Sequence, residues 1–275
     1  MKNKLTLAGL CFVIAISVKA QSYDFPSLTS TAMGLSGAVD TTAWAVYGNP
    51  SGISGQTRAA VGMGYHQAFM TEALSSRTAF CVLPFSLISV GGSYVQYGHD
   101  LFNIQQMSLT AARRISPKLQ MGFRFRYILR TISGTDTDGV SVVDAGLRYG
   151  ISEKLHVGVM ALNPARRTIS DEYNEQSLPA LLALACEVRF SSAFVLSGGL
   201  RQDVTRAGQS YGLGLAVDIL GSTTLRGAVS ARPVLFSVGA SVNPGAFELS
   251  VASRHHERLG MSPSFGVVYR FGNRN

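Results

Sequence analysis

Two adjacent histidines followed by a glutamate, His255, His256 and Glu257, come nearest to a metal site in this sequence. Neighbouring residues on a strand point to opposite faces and cannot share one ion, and these three lie in a predicted outer loop. His156 is expected to be a hydrogen-bonded wall residue rather than a catalytic base. No Ser and His with an orienting polar group can be assigned to one face. We therefore predict no metal, no cofactor and no enzymatic activity.

Arginines at every second position form the other chemical pattern. Within residues 119–130, Arg124, Arg126 and Arg130 fall on one face, and the opposite face is apolar. Ile128 is the exception, because it falls on the charged face. A helix with a period of 3.6 residues could not separate these side chains, so the segment is predicted to be a strand. The same parity recurs in residues 143–150 and 182–190.

These charged faces are expected to line the lumen of a barrel, because an arginine facing lipid at the bilayer midplane costs about 2–4 kcal/mol. Two interpretations stay open. The charges pair across strands and fill the interior as a scaffold, or they line an anion-preferring or peptide-contacting pore. The predicted lumen charges are Arg124, Arg126, Asp144, Arg148, Glu187, Arg189, Arg201, Arg226, Glu248 and Arg270, with Arg130, Arg232, Arg254, Asp203 and Asp218 on the same faces.

About fourteen alternating segments follow residue 57, and an even number of short antiparallel strands is typical of outer-membrane barrels. Links after even-numbered strands are short, and most links after odd-numbered strands are longer, which predicts periplasmic termini and outer loops. A soluble β-sandwich shares the period of two but has no reason to alternate its loop lengths. The predicted strands are 57–67, 76–85, 88–97, 102–113, 118–131, 139–150, 154–162, 179–190, 193–203, 210–219, 223–231, 233–241, 246–254 and 262–271.

The first 20 residues have the features of a secretory signal: Lys2 and Lys4 precede an apolar run, and Ala20 ends a small-residue cleavage site. Removing this leader leaves 21 basic and 16 acidic residues, with no basic stripe of the kind that binds nucleic acid. Charged residues make up 15% of the chain, against about 25% in soluble domains. Cys81 and Cys186 are too few for a disulfide scaffold and are predicted to be small packing residues.

Residues 21–56 lack strict alternation and are rich in Gly, Ala, Ser and Thr. Glycines on the inward faces, such as Gly122, Gly146 and Gly158, let another segment approach the wall closely. We predict an all-β fold: a transmembrane antiparallel up-and-down barrel over 57–275, about 14 strands, with 21–56 as an N-terminal hatch or plug. The protein is expected in the outer membrane after cleavage of residues 1–20.

The stretch AMGLSGAVDTTAWAVYGNPSGIS, residues 32–54, resembles the start of FadL-like outer-membrane proteins and of the PorV/PorQ family of type IX secretion. Residues 119–128, 143–163, 177–190 and 258–271 look like PorV/PorQ strands in the same order. The resemblance implies a fourteen-strand barrel with an N-terminal hatch. Ser51 stands where alanine is usual, and the matching residues are Met33, Gly34, Gly37, Ala38, Asn49, Pro50, Gly52 and Ile53.

The leading hypothesis is therefore a PorV/PorQ-type accessory in protein export or surface attachment, with outer-membrane lipid and secretion-system or secreted proteins as partners. The alternative is a FadL-like passive channel for a small hydrophobic molecule. A channel is expected to have an apolar pocket at the hatch. An accessory is expected to have a filled lumen and to expose its recognition surface on residues 163–178 and 253–263. The predicted ligand or hatch residues are Met33, Trp44, Val46, Asn49, Pro50 and Ile53.

Overall fold

A computed structural model describes residues 27–134, 137–170, 175–219 and 221–272. Within these ranges, fourteen antiparallel strands form a closed barrel, and a separate two-stranded hairpin, β8–β9, lies between β7 and β10. The predicted barrel class and strand number are confirmed. The barrel strands are Ala60–Gln67 (β1), Ser75–Pro84 (β2), Ser89–His99 (β3), Phe102–Arg114 (β4), Leu119–Ile132 (β5), Thr137–Gly150 (β6), Leu155–Leu162 (β7), Leu181–Arg189 (β10), Phe194–Asp203 (β11), Gly208–Ile219 (β12), Thr223–Ala231 (β13), Leu235–Val242 (β14), Phe247–His256 (β15) and Gly260–Arg270 (β16).

The helical elements are short. One α-helical turn and three 3-10 helices precede the barrel, and two further 3-10 turns lie between β1 and β2. The predicted signal peptide and residues 21–26 of the predicted hatch lie outside the described residues. The elements are Leu28–Ala32 (α1), Ser36–Val39 (η1), Ala43–Tyr47 (η2), Pro50–Gly55 (η3), Ala68–Met70 (η4) and Glu72–Leu74 (η5), with the hairpin strands Thr168–Ser170 (β8) and Glu175–Ser177 (β9).

Burial alternates along the strands as the sequence pattern predicts. In β6 buried and exposed residues alternate almost throughout, with Val142 and Asp144 inside and Val143 and Leu147 outside. The outer face carries a continuous set of exposed apolar side chains, including Met63 at 62%. Such a face suits lipid and is costly in water. No helix within the described ranges is long and apolar enough to span a membrane.

The two ends of the barrel differ in their links. Of the described residues, one end, called the short-turn end, carries 85–88, 115–118, 151–154, 190–193, 221–222 and 243–246. The other, called the long-loop end, carries 68–74, 100–101, 133–134, 163–170, 175–180, 204–207, 232–234 and 257–259. β1 begins and β16 ends at the short-turn end. The chain thus enters and leaves the barrel on the same side.

Several long-loop links are shorter than the sequence predicts. β15 continues to His256 and β16 begins at Gly260, so the predicted recognition loop 253–263 is mostly strand. β3 and β4 likewise extend until only residues 100–101 separate them. Backbone pairing between adjacent strands overrides the local turn signals there, because each added residue gains ladder hydrogen bonds. Only 68–74 and 163–180 are substantial loops within the described chain.

Candidate functional site

The N-terminal segment, residues 27–56, lies inside the barrel, and none of its residues is exposed. The Ser27 hydroxyl caps α1 by accepting the amide N–H of Ser30 at 3.0 Å. Asn49 Oδ1 caps η3 by accepting the N–H of Ser51 at 3.0 Å, and Pro50 occupies the first helical position. These caps satisfy free amides at helix starts, so the segment forms short turns rather than another strand.

Aromatic packing fixes one side of the segment against the wall. The Trp44 ring meets Phe80 of β2 edge-on at 4.9 Å between centroids, and Tyr47 meets the same ring at 5.8 Å. The Tyr47 hydroxyl donates to the Ala79 carbonyl at 2.8 Å. Burial away from water raises the pKa of Tyr47, so the hydroxyl remains a proton donor.

Close approach to the other side requires glycine in the wall. A Cβ added at Gly146 would lie 1.8 Å from Asn49 Oδ1, and one at Gly158 would lie 1.9 Å from the Ala38 carbonyl oxygen. Asn49 Nδ2 in turn donates to the Leu147 carbonyl at 3.1 Å. Asn49 and Pro50, called the Asn-Pro element, therefore lie against wall positions where only glycine leaves enough space. The sequence pattern places these glycines on inward faces.

Two wall arginines hold backbone carbonyls of the segment. Arg124 Nη1 donates to Val46 O at 2.8 Å, and Arg148 Nε donates to Val39 O at 3.2 Å. Both acceptors lie in the last turn of a 3-10 helix, where carbonyls lack helical partners. Both side chains are more than nine-tenths buried. The arginines thus complete the hydrogen bonding of the N-terminal segment as well as forming ion pairs.

A buried ion cluster in β5 and β6 anchors these arginines. Asp144 has no exposed surface. It accepts Arg124 Nε and Arg126 Nη2, each at 2.8 Å, and the backbone N–H of Asn163 at 2.9 Å. One carboxylate therefore serves two guanidinium groups within a region that water does not reach.

The remaining predicted lumen charges are distributed less evenly. Glu187 lies 2.8 Å from Arg189 Nε and 3.7 Å from Arg148 Nη2, although the Arg189 side chain is 46% exposed at the short-turn end. Arg270 Nη2 lies 2.5 Å from Glu248 Oε2. These contacts fit the interpretation of a scaffold whose charges pair across strands.

Arg226 donates to the Ser241 hydroxyl, and Arg201 and Arg254 are half-buried on the inner wall. The expectation for Arg232 is wrong, because β13 ends at Ala231 and Arg232 is exposed in the following turn. The sequence predicts both cysteines to be small packing residues. Cys186 is exposed on the outer face and Cys81 is half-buried, so only Cys81 is consistent with that prediction.

A continuous apolar cluster, which we call the apolar column, runs along the lumen from the long-loop end to the N-terminal segment. Wall residues of β2 to β6 contribute inward apolar side chains, and Ile128 is one of them. A channel-lining face in a barrel is usually polar, so this strip is unusual. The sequence indicates this strip by apolar residues, such as Ile128, at positions of the strand pattern that face inward. Its buried members include Val46, Ile53, Val82, Val95, Ile104, Ile128, Val140, Val142 and Ile169.

The β8–β9 hairpin covers the long-loop end of the column. Ile169 of β8 is 1% exposed and belongs to the same cluster, as does Leu178 just after β9. Arg130 ties the hairpin to the wall by donating to Gln176 Oε1 at 3.0 Å while it pairs with Asp138 at 2.9 Å. The sequence predicts only an outer loop for this stretch, because three-residue strands are too short to show a period of two.

The predicted hatch residues separate into two groups. Trp44, Val46 and Ile53 meet in the apolar column, with 2%, 0% and 0% exposure. The open apolar pocket expected there is not found in the described chain: the cavity beside Trp44 measures about 20 Å³, which is roughly one water. Asn49 and Pro50 contact the wall backbone, and Met33 lines a different cavity.

That second cavity, about 210 Å³, lies between the N-terminal segment and β10 to β13. Its walls carry Asp40, Asp218 and Arg226. Burial raises the pKa of Asp40, while hydrogen bonds from Thr42 and the nearby Arg226 partly oppose this shift. Asp218 Oδ1 is buried without a hydrogen-bond partner in the described structure. The segment also packs closely against this side of the wall, since a Cβ added at Gly199 of β11 would lie 2.2 Å from the Leu35 carbonyl oxygen. The cavity is therefore a local polar space beside a segment that contacts the wall on both sides.

The adjacent histidines lie on a strand rather than in the predicted outer loop. His255 and His256 point to opposite faces of β15, and His256 Nδ1 accepts the N–H of Arg258 at 3.1 Å. His156 lies inside, 4.0 Å from Glu187. In the ranges that the structure describes, no three His, Cys, Asp or Glu side chains are grouped as metal ligands would be.

Comparison with solved structures finds barrels that match nearly the whole of this chain. The Ralstonia pickettii toluene transporter TbuX matches with a TM-score of 0.68 and 11% identity, over 90% of this chain and 99% of that one. The Pseudomonas putida toluene transporter TodX gives 0.69 and 12%, over 90% and 98%. A Pseudomonas aeruginosa FadL homologue gives 0.68 and 10%, over 92% and 100%.

The fold is that of the FadL-like outer-membrane barrels. No protein-family model matches the sequence, and no curated protein matches it. The FadL-like part of the predicted resemblance is thus supported at the level of fold. The PorV/PorQ assignment and its link to type IX secretion are not supported by these matches.

Proposed function

We propose that the protein is a passive outer-membrane channel that admits a small hydrophobic molecule. The observation that carries this proposal is the apolar column, which joins the covered long-loop end to Trp44 and Ile53 of the N-terminal segment. A strip of apolar side chains inside an otherwise charged lumen suits a solute without charge. Two structures of the same fold are described as toluene transporters.

In this proposal the solute enters beneath the β8–β9 hairpin, where Ile169 closes the column. It moves along Ile128 and Val142 towards the N-terminal segment. The segment is the barrier, because the space beside Trp44 holds about one water. Passage requires part of the segment to shift into the polar cavity of about 210 Å³ that it shares with β10 to β13.

The location belongs to the same proposal. The apolar outer face supports a barrel in a bilayer, and the short-turn end, where the chain enters and leaves the barrel, is assigned to the periplasm. Residues 1–20 are proposed to be the signal peptide, 21–56 the hatch and 57–275 the barrel. Non-enzymatic function remains part of the proposal.

One observation favours the second candidate, an accessory barrel for export or surface attachment. The lumen is filled, and its charges are tied into the N-terminal segment through Asp144, Arg124 and Arg148. In that case the recognition surface would be residues 163–178 at the long-loop end. The former candidate surface at 253–263 is reduced to the turn 257–259.

Deletion of the gene, with measurement of both radiolabelled toluene uptake and the secreted and surface proteome, separates the two candidates. The deletion strain is complemented with wild type, with Ile128→Asn in the column, and with Leu101→Asn in an exposed loop as the matched control. We expect slower uptake in the deletion strain, restored by wild type and Leu101→Asn but not by Ile128→Asn. Normal uptake together with lost surface proteins would overturn the channel proposal in favour of the accessory.

A further inference from the structure

An apolar groove of about 560 Å³ lies on the outer face of β1, β2, β15 and β16. Two rows of outward side chains border it. Tyr65 and Phe265 are paired neighbours in one row, and Met63 and Val267 are paired neighbours in the other. Leu249 and Val251 of β15 continue the two rows, and both are about half exposed. The groove crosses four strands, whose outermost axes are about 14 Å apart because each of the three spacings is about 4.8 Å.

The end of the groove at β2 carries a charge. Arg77 lines the groove, is exposed on the outer face, and stands directly opposite Tyr65 in the β1–β2 register. Among the described residues, none forms a hydrogen bond or ion pair with Arg77. An outward arginine on a membrane barrel is tolerated near the interface but not at the midplane.

The position of Arg77 meets this requirement. It is two residues from the start of β2 at the long-loop end. At about 3.3 Å per residue and a tilt of about 40°, it lies roughly 5 Å below the end of the strand. With the long-loop end at the membrane surface, as proposed above, that depth corresponds to the headgroup region, and Met63 and Leu249 lie further towards the bilayer centre.

We infer that this groove is a binding site for lipid A, the phosphorylated glycolipid of an outer leaflet, with a phosphate on Arg77 and an acyl chain between the two apolar rows. A planar guanidinium recognises phosphate through paired hydrogen bonds. Apolar side chains and one unpaired cation match the two parts of such an amphiphile. The inference uses the proposed placement of the long-loop end in the outer leaflet, and it does not depend on what the lumen transports.

Native mass spectrometry of the purified full-length barrel tests the site. The probes are lipid A, enzymatically dephosphorylated lipid A and phosphatidylglycerol. The variants are Arg77→Gln, which removes the charge, and Val251→Trp, which fills the groove. The matched control is Arg113→Gln, because Arg113 is also exposed in a strand but lies at the short-turn end. Heat-dependent gel mobility confirms that each variant is a folded barrel.

We expect one lipid A bound to the wild type, with affinity lowered about tenfold or more by Arg77→Gln, by Val251→Trp and by removal of the phosphates. Arg113→Gln is expected to bind as the wild type does. Equal binding by wild type and Arg77→Gln would overturn the site. If phosphatidylglycerol competes as well as lipid A does, the assignment to lipid A is overturned. If the wild type forms a dimer that the Val251→Trp variant does not form, the occupant of the groove is a second copy of the barrel. Toluene uptake is measured in a separate experiment, so failure of the lipid A site and failure of the channel proposal can be told apart.

Discussion

Replacement of Asp144 by asparagine keeps the shape of the side chain and removes the charge that holds Arg124 and Arg126. Asp144 has no exposed surface, and the two guanidinium groups are 3% and 7% exposed. Breaking a buried ion pair by removing one partner costs about 3–5 kcal/mol, because the other charge stays buried and unpaired. Arg124 also holds the Val46 carbonyl at 2.8 Å, so the N-terminal segment should loosen with the cluster.

The matched control is Asp138→Asn on the same strand. Asp138 pairs with Arg130 at 2.9 Å, but its side chain is 16% exposed and Arg130 also bonds Gln176. Solvent screening and the remaining partner should limit the loss to about 1 kcal/mol or less. The comparison therefore separates burial of the charge from the loss of an ion pair as such.

Trp44 is the only tryptophan in the sequence, so its fluorescence reports on the N-terminal segment alone. In urea titrations of barrels in lipid vesicles, Asp144→Asn should shift the Trp44 emission to the red at a lower urea concentration than wild type. Heat-dependent gel mobility follows the barrel separately. If Asp144→Asn and Asp138→Asn have the same Trp44 midpoint, the buried cluster does not hold the segment and the reasoning fails.

Three further predictions concern the segment and its cover. Gly146→Ala should displace the Asn-Pro element and destabilise its docking by about 1–3 kcal/mol, seen as a red-shifted Trp emission, because the added Cβ has no space. Gly227→Ala, where the nearest atom is 3.9 Å away, should leave the emission unchanged. Burial raises the pKa of Asp40, so protonation of this carboxyl favours the docked state of the segment. Docking should therefore weaken as pH rises through the raised pKa, which a pH series of Trp44 emission would show. Asp40→Asn should abolish this pH dependence. Ile169→Asn should speed toluene uptake by loosening the hairpin, whereas Ser170→Asn at an exposed neighbouring position should not; equal rates would refute a covering role for the hairpin.

Strand number and strand parity were predictable because one face of every strand meets an apolar environment. A residue in the wrong register would expose a charge to that environment, so a period of two is imposed on the sequence itself. The pattern in β5 placed Arg124 and Arg126 inside, and the structure has both buried. The same rule identified Ile128 as inward, although only the structure gives the reason.

The resemblance of residues 32–54 indicated a hatch, but not its contacts. Asn49 lies 98 residues from Leu147, whose carbonyl it meets, and no local pattern encodes such a pairing. Link lengths were also only partly predictable. Ladder pairing extended β15 and β16 through residues that otherwise favour a turn, and it removed most of the loop expected at 253–263.

The sequence by itself determined the barrel, its inward and outward faces and its charged interior, because these follow from a two-residue period and from the cost of placing charge in lipid. Only the tertiary structure decided which of the inward residues contact one another. Closure of the barrel brings Val95, Ile104, Ile128 and Val142 from four strands into one apolar column with Ile53 and Ile169. These residues come from separate strands and from the N-terminal segment and hairpin, and their shared environment exists only once the strands are in register around that segment.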